Sequence, residues 1–161
     1  MPPGGTPGAK EVVLSFEQLT DWTKRPEAGI MAYSGVAIYR KHFDLPAEAV
    51  SGKMETKSPP CRWLELGQVN EMARVVINGH DLGVVWCPPW RVRIPSGLLK
   101  GHGNELVITV ANTWNNRLCA DNALPVPERL TRVGHNLHEI AGKRGYQPAG
   151  LMGPVRVMAE Q

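Results

Sequence analysis

The segment Val75 to Trp90, VVINGHDLGVVWCPPW, constrains the fold of this 161-residue chain more than any other part of its sequence. Its centre is Asn78-Gly79, and Asn followed by Gly adopts the positive φ angles of a two-residue hairpin turn at the least steric cost. Most residues on either side of the turn are Val, Ile or Leu, which fit a pleated surface. The segment therefore predicts two antiparallel strands followed by a loop rich in Trp and Pro. The alternative is a loop in which the residues after the turn simply prolong it.

Other short apolar stretches indicate further strands. They are GVAIYRKHF (35–43), CRWLELG (61–67), RVRIP (91–95), ELVITVAN (105–112) and the stretch 155–158, with a weaker strand signal at 12–16 and a helical turn or an extended edge at 16–22. Alternation along CRWLELG places Leu64 and Leu66 on one face and Trp63 and Glu65 on the other. The stretch 105–112 alternates most regularly, so it is predicted to be a central strand.

Seventeen Gly and fourteen Pro lie between these stretches and indicate many turns and little helix. The chain is accordingly predicted to be all-β, an antiparallel β-sandwich of the jelly-roll type with about eight strands. One long loop, 113–150, decorates it, and a short helix is expected within 130–141. Residues 1–10 hold three Pro and three Gly and are predicted to be a flexible linker, so the sandwich domain occupies 11–161. The polar stretch 47–60 is predicted to be a surface excursion.

Charge and composition exclude several classes of partner. The net charge is +3 and no block of Lys or Arg stands out, so a nucleic-acid partner is not expected. No apolar run approaches the ~20 residues that cross a bilayer, and the N-terminus lacks the apolar core of a secretory signal. The chain is therefore expected to be soluble, with no membrane partner. Cys61, Cys87 and Cys119 fit neither a disulfide framework nor a zinc site, and we expect buried or inert thiols.

The sequence offers no catalytic or metal-binding pattern of the usual kinds, and the chain is predicted not to be an enzyme. A glycosidase needs two carboxyl groups at a fixed separation, and neither Glu65 on its strand nor Asp81 in its turn indicates such a pair. His135 and His138 would share a helical face but lack the HExxH order of a zinc site. No metal or cofactor is predicted. A structural calcium ion at the Asp121 turn remains an alternative, because calcium prefers oxygen ligands.

Carbohydrate binding is the chemistry that the sequence favours. Sugar rings present apolar C–H faces to aromatic rings, whereas their hydroxyl groups need fixed polar partners. Three of the five tryptophans lie at predicted loop edges beside polar residues. The predicted carbohydrate-binding residues are Trp86, Trp90, Trp114, Asn115, Asn116, Arg117 and Asp121. The alternative is structural: the tryptophans fill the core or cover a sheet edge, and the polar residues satisfy loop backbone or pair with one another.

Four segments in this order resemble a known family of domains. They are YSGVAIYRKHF (33–43), WLELGQVNEMARVVINGHDLGVVWCPPW (63–90), IPSGLLKGHGNELVITVANTWNNRL (94–118) and LMGPVRV (151–157). Together they resemble the galactose-binding-like, or sugar-binding, β-sandwich domain of glycoside hydrolases. Within that group the chain is most similar to the C-terminal domain of α-L-rhamnosidase-type enzymes of family 106, and more distantly to the sugar-binding domain of family 2. The resemblance implies the sandwich fold, whereas the reaction in such enzymes belongs to a separate catalytic domain.

Three functions follow as expectations. The first is a non-catalytic accessory domain of a glycoside hydrolase that binds a glycan, rhamnose-containing plant or algal polysaccharides included, through loops at one end of the sandwich. The second is the C-terminal fragment of a rhamnosidase-like hydrolase, which packs against that enzyme's catalytic domain. The third is a structural interaction domain that docks through the long loop. The resemblance implies that the parent protein is secreted or periplasmic, although the sequence itself assigns no location.

Overall fold

The computed structural model describes residues 13–46, 62–134 and 136–159. The predicted linker 1–10, the polar stretch 47–60 and His135 lie outside the described residues. Nine strands occur in the described part, β1 to β9 in chain order: Val36–Phe43, Arg62–Glu65, Gln68–Asn70, Met72–Ile77, His80–Val85, Arg91–Ile94, Asn104–Ala111, Gly150–Gly153 and Arg156–Ala159. The predicted all-β class is confirmed, with nine strands where about eight were expected.

The strands form three antiparallel sheets. One sheet has the order β1-β7-β4-β5, the second has the order β6-β2-β9, and the third pairs β3 with β8. Strand β7 lies between β1 and β4, so the predicted central position of the stretch 105–112 is confirmed. We call the four-stranded sheet sheet A and the three-stranded sheet sheet B.

The core lies between the inner faces of these sheets. Every second residue of β7 is buried, and the residues between them are only partly exposed. From sheet B, Leu64 on β2 is buried whereas Trp63 and Glu65 beside it are not, which confirms the predicted alternation. The principal buried side chains of the core are Leu64, Leu66, Val69, Val75, Ile77, Val92, Ile94, Leu106, Ile108, Val110 and Leu151. Full burial of each such aliphatic side chain contributes about 1.5–3 kcal/mol, so this cluster is the main source of the sandwich's stability.

The hairpin predicted from Asn78-Gly79 is present. Strands β4 and β5 flank the turn, with φ angles of 51° at Asn78 and 78° at Gly79, and the alternative of a prolonged loop is wrong. The Asn78 side chain also ties the turn to β7, because its Oδ1 accepts a hydrogen bond of 2.9 Å from the Glu105 N–H. Its Nδ2 donates to Oδ1 of the buried Asn104 at 3.0 Å. The hairpin is therefore fixed against the centre of sheet A.

Three helices accompany the strands in the described residues: α1 (Ala28–Met31), α2 (Asn115–Asn122) and α3 (Leu137–Arg144), with 3₁₀ turns at Trp22–Lys24 and Val126–Glu128. The helix expected within 130–141 overlaps α3, whereas α2 was not expected. Helix α3 ends at Gly145, whose φ of 75° suits glycine and whose N–H donates to the Ala141 carbonyl at 2.9 Å. Residues 13–16 do not form the strand suggested by their sequence.

The first described residues are anchored to the last strands. The buried Trp22 donates its backbone N–H to the Ala149 carbonyl at 3.0 Å and its indole N–H to the Tyr39 hydroxyl at 2.6 Å. Oδ1 of Asp21 accepts the Ala149 N–H at 3.1 Å. Because the two bonds to Ala149 join residues more than 100 positions apart, the segment around residue 20 belongs to the same folded unit as β8.

Candidate functional site

The loops that follow β5 and β7 leave the sandwich at the same end. In sheet A, Ala73 on β4 lies opposite both Val85, the last residue of β5, and Val110 near the end of β7. Strand β4 separates the two, so the loop starts are about 10 Å apart, which is twice the spacing of neighbouring strands. The residues after each strand, 86–90 and 112–114, contain the three tryptophans predicted to bind carbohydrate. We call this end of the sandwich the rim.

The loop 86–90 is held by its backbone. The Trp90 carbonyl accepts the Leu66 N–H at 2.8 Å, and the Pro89 carbonyl accepts the Arg91 N–H at 2.8 Å. Trp90 is partly buried and packs against the core, whereas the ring of Trp86 in the same loop is 71% exposed. The loop therefore presents aromatic surface from a fixed backbone.

A small cleft opens beside this loop. It has a volume of about 130 Å³ and is lined by Glu65, Gly67, Pro89, Trp90 and Arg91. We call it the rim cleft. Its lining brings an aromatic residue together with an acidic and a basic residue, which is the mixture of apolar and polar groups that a sugar requires.

The outer face of sheet B continues from the rim cleft. Strand β2 pairs Glu65 with Arg91 on one side and with Arg156 on the other. The Arg91 guanidinium does not pair with Glu65 but lies over the Trp63 ring, 4.5 Å from its centroid. Such stacking of Arg on Trp is attractive because the ring face is negative, and it holds the guanidinium in one place.

Trp114 lies at the rim but outside the rim cleft. Its side chain is 64% exposed, and helix α2 begins at the next residue. Among the described residues, no ring of Trp86, Trp90 or Trp114 stacks on another. The structure thus brings Trp86 and Trp90 into one loop and places Trp114 on the neighbouring connection.

The two asparagines after Trp114 are buried and bonded internally. Asn115 donates from Nδ2 to the Gly145 carbonyl at 2.8 Å. Asn116 donates to the Gln147 carbonyl and accepts the Gln147 N–H, both at 2.8 Å. Because these amides already have partners in the segment that follows α3, they hold the long connection between β7 and β8 in place.

Arg117 and Asp121 also point into the connection. The Asp121 side chain is fully buried, and its Oδ1 lies 3.0 Å from Nη2 of Arg117. Its Oδ2 accepts hydrogen bonds from the Thr131 N–H at 2.7 Å and the Thr131 hydroxyl at 2.5 Å. Burial raises the pKa of Asp121, but the bonds from Thr131 and the charge of Arg117 outweigh it and hold that pKa below its usual range. Oδ1 of Asp121 already faces a guanidinium and Oδ2 already accepts two hydrogen bonds. The carboxylate therefore does not fit the calcium site considered from the sequence, because a calcium ion needs oxygens that are free to coordinate it.

His138 completes this network. Its Nε2 lies 3.0 Å from the Thr131 hydroxyl, and its Nδ1 lies 3.4 Å from Nη1 of Arg129. The hydroxyl proton points to Asp121, so the Thr131 oxygen can only accept from His138, which places a proton on Nε2. Nδ1 faces the Arg129 guanidinium. The grouping of Asp121, Thr131 and His138 thus joins α2 to α3.

The other sequence expectations have clear outcomes. Asp81 lies in the hairpin of sheet A, where a hydrogen bond from Arg74 at 2.7 Å lowers its pKa. Glu65 lies on sheet B at the rim, so the two carboxylates belong to different sheets.

In the described residues, no three His, Cys, Asp or Glu side chains form a group that could hold a metal ion. Of the thiols expected to be buried or inert, Cys87 is exposed and Cys119 is half-buried, whereas Cys61 lies outside the described residues. Among the helices of the described part, none has the length and apolarity needed to cross a membrane.

The sequence did not single out Glu65, Gly67 or Arg91 as site residues. The alternation of CRWLELG correctly turned Glu65 outward, and the RVRIP stretch carries outward arginines. Nothing in either stretch showed that β2 and β6 are neighbours, so their outward residues could not be joined into one surface. Finding these residues from sequence would require the order of the strands in the sheet, and alternation of apolar and polar residues does not give that order.

Comparisons with known proteins point to glycoside hydrolases. No family model matches the chain. A curated protein of Formosa agariphila named "Putative beta-glucuronidase" is 32% identical over 113 residues, which are 70% of this chain and 9% of that protein. The structure of a rhamnosidase from Novosphingobium sp. PP1Y aligns with a TM-score of 0.74 and 31% identity over 90% of this chain and 13% of the rhamnosidase chain. A Ruminococcus gnavus beta-glucuronidase aligns with a TM-score of 0.49 and 21% identity over 65% of this chain and 17% of its own.

The chain therefore spans about a tenth of the length of the first two relatives, 9% and 13%. Both relatives are named as glycoside hydrolases, which confirms the expected relation to such enzymes. A match to so small a part of each is consistent with an accessory domain or a fragment. Assignment to family 106 stays a prediction.

Proposed function

We propose that this chain is a non-catalytic accessory domain of a glycoside hydrolase, with the sandwich over 11–161 as one unit and 1–10 as a linker, and that it binds glycan in the rim cleft. The observation that carries the proposal is the cleft itself, whose lining brings Trp90 together with Glu65 and Arg91. The ring covers the apolar face of a sugar, and Glu65 accepts hydrogen bonds from its hydroxyl groups. The exposed Trp86 extends the aromatic surface along the same loop.

The polar residues after Trp114 act in support of the rim. Asn115, Asn116 and Asp121 hold the connection between β7 and β8, so that Trp114 and the loop before it keep a fixed position. Of the predicted sugar-binding residues, Trp86 and Trp90 have the surroundings that binding requires. The resemblance to a rhamnosidase makes rhamnose-containing oligosaccharides the first ligands to try.

Titration of the chain with plant and algal oligosaccharides, while tryptophan fluorescence is followed, tests this proposal. A saturable change with at least one of them is expected. Trp90→Ala and Glu65→Gln should weaken that binding, whereas Trp114→Ala, a change of the same kind outside the cleft, should leave it unchanged. Circular dichroism checks that each variant is folded. Flat titrations with every oligosaccharide, or equal loss in all three variants, would overturn the proposal.

A second function, packing against the catalytic domain of a parent enzyme, is favoured by the outer face of sheet A. Val36, Ala111 and Met72 form one row across three strands of that face. In the next row Ile38 and Val84, each 55% exposed, flank Thr109 and Arg74. Apolar side chains gathered on a sheet face are typical of a surface that another domain covers. We call this surface the apolar face.

Sedimentation of the isolated chain tests this second function. With the apolar face uncovered, the chain should self-associate as its concentration rises, and Ile38→Ser with Val84→Ser should abolish the association. The matched control is Val126→Ser with Leu130→Ser, which removes two exposed apolar side chains outside this sheet. A wild type that stays monomeric at every concentration, or a control pair that acts like the first, would count against the apolar face.

A further inference from the structure

We infer that the rim cleft selects sugars that carry an acidic group, carboxylate or sulfate, through Arg91 and Arg156. This inference rests on the proposed glycan binding and names the class of ligand. It starts from the outer face of sheet B, where the described residues include three arginines and one glutamate. Arg91 and Arg93 lie on β6, Arg156 lies on β9, and Glu65 lies between them on β2.

The two arginines nearest the cleft have no carboxylate partner among the described residues. Arg91 and Arg156 are both exposed, and neither forms an ion pair with another described residue, although both are register neighbours of Glu65. Elsewhere on the molecule Arg25, Arg74 and Arg117 each contact a carboxylate within 3.0 Å. The positive charge beside the rim cleft is therefore left for a ligand, and an anion is the complement.

The position of Arg91 suits a planar acidic group. Its guanidinium carbon lies over the Trp63 ring and the residue is exposed, so N–H groups directed away from the ring remain accessible. Paired N–H groups bind a carboxylate or a sulfate with two parallel hydrogen bonds. Because the stacking already orders the side chain, little further rotamer entropy is lost when the anion binds.

The cleft orients the rest of such a sugar. Arg91, Trp90 and Glu65 all line the cleft, so a sugar whose acidic group is held by Arg91 lies beside the other two residues. Glu65 repels a second acidic group but accepts hydrogen bonds from hydroxyls. The arrangement thus favours a sugar with one acidic group and several free hydroxyls over a densely charged polyanion.

The test compares tetrasaccharides that differ in charge. The probes are β-1,4-linked glucuronic acid, the uncharged cellotetraose, and cellotetraose with one sulfate per sugar, each titrated calorimetrically at low salt. The acidic probes are expected to bind about tenfold tighter than cellotetraose, as one charged hydrogen-bonded pair allows. Arg91→Gln and Arg156→Gln should each reduce this preference. Arg91→Lys should reduce it too, because a Lys ammonium cannot form two parallel hydrogen bonds with one acidic group. The control Arg40→Gln makes the same charge change on the outer face of sheet A and should keep the preference.

The outcomes separate the two claims. If cellotetraose binds as tightly as the acidic probes, the inference is overturned and glycan binding stands. If none of the three probes binds and the plant and algal panel is also flat, the proposed function fails. If Arg40→Gln removes the preference as fully as Arg91→Gln, net charge and not the cleft is responsible, and the inference is overturned. A preference for only one of the two acidic probes supports the inference and assigns the acidic group.

Discussion

Two residues, Gly150 and Trp22, explain how the segment around residue 20 packs against β8. Gly150 has a φ of +102°, and a Cβ added there would lie 2.4 Å from Nε1 of Trp22. Trp22 in turn bonds to the Tyr39 hydroxyl and to Ala149, so a shift of the indole would disturb the join between β1 and β8. Glycine at 150 is thus required for both its backbone angle and the space it leaves.

Gly150→Ala should destabilise the chain by about 3 kcal/mol or more, since left-handed strain and overpacking add. The matched control is Gly97→Ala. Gly97 also has a positive φ, +79°, but a Cβ there would meet nothing within 4 Å. The Gly97→Ala variant should therefore be destabilised only by the left-handed backbone strain, about 1–2 kcal/mol. Urea unfolding followed by tryptophan fluorescence measures both, and equal losses would contradict the packing argument.

Among the elements, the pair α2 and α3 departs most from the sequence prediction. The sequence indicated a decorated loop over 113–150 and one short helix, but α2 itself was missed. Its residues Asn115, Asn116 and Asp121 are polar and buried, so an apolar helical stripe is absent from the pattern that sequence analysis relies on. The helix is held instead by hydrogen bonds to residues 129–147, which lie too far along the chain to be read from local sequence. For the same reason these residues were interpreted as ligands for sugar hydroxyls.

Asp121→Asn should destabilise the chain by about 2–3 kcal/mol, because Arg117 loses its counter-charge in a buried setting. Asp81→Asn is the control, since it breaks an Arg–Asp contact of 2.7 Å that is exposed on the hairpin. That loss should be much smaller because water and salt screen the pair. Denaturant unfolding of both variants gives the comparison, and a larger loss for Asp81→Asn would contradict the role of the network.

Acid should weaken the α2–α3 pair through Asp121. The folded-state pKa of this carboxyl lies below its ordinary value of 3.8, so its stabilising contribution is complete above that value. The contribution is lost as the pH falls below 3.8 and through the folded-state pKa. The free energy of unfolding should therefore fall less steeply with acid in Asp121→Asn than in the wild type. Parallel acid profiles for the two proteins would contradict this assignment.

At the scale of the whole molecule, the sequence predicts the sandwich fold but not which residues come together on its surfaces. Asn78-Gly79 and the regular alternation of β7 predicted the hairpin and the central strand, because both are local signals. Strand β8 was missed since Gly150 and Gly153 carry little strand propensity, and its partner β3 has only three residues, too few for alternation to show. The rim cleft joins Glu65, Gly67 and Trp90 from separate segments, and only the pairing of β2 with β6 brings them together.

The two proposed surfaces lie on different sheets, so one molecule has room for both. The apolar face belongs to sheet A, whereas the rim cleft adjoins the outer face of sheet B. Replacing Ile38 and Val84 by Ser should change the free energy of unfolding by less than about 1 kcal/mol, because both side chains are largely exposed. Denaturant unfolding checks this value. A loss of several kcal/mol would mean that these side chains belong to the core.

Nuclear magnetic resonance of the indole N–H groups tests the central claim most directly. The five tryptophans give five separate signals, which can be followed while glucuronic acid tetrasaccharide is added. The signals of Trp90 and Trp86 should shift in a saturable way, and that of the buried Trp22 should stay in place. Signals that do not move, or backbone shifts confined to the outer face of sheet A, would contradict glycan binding at the rim cleft.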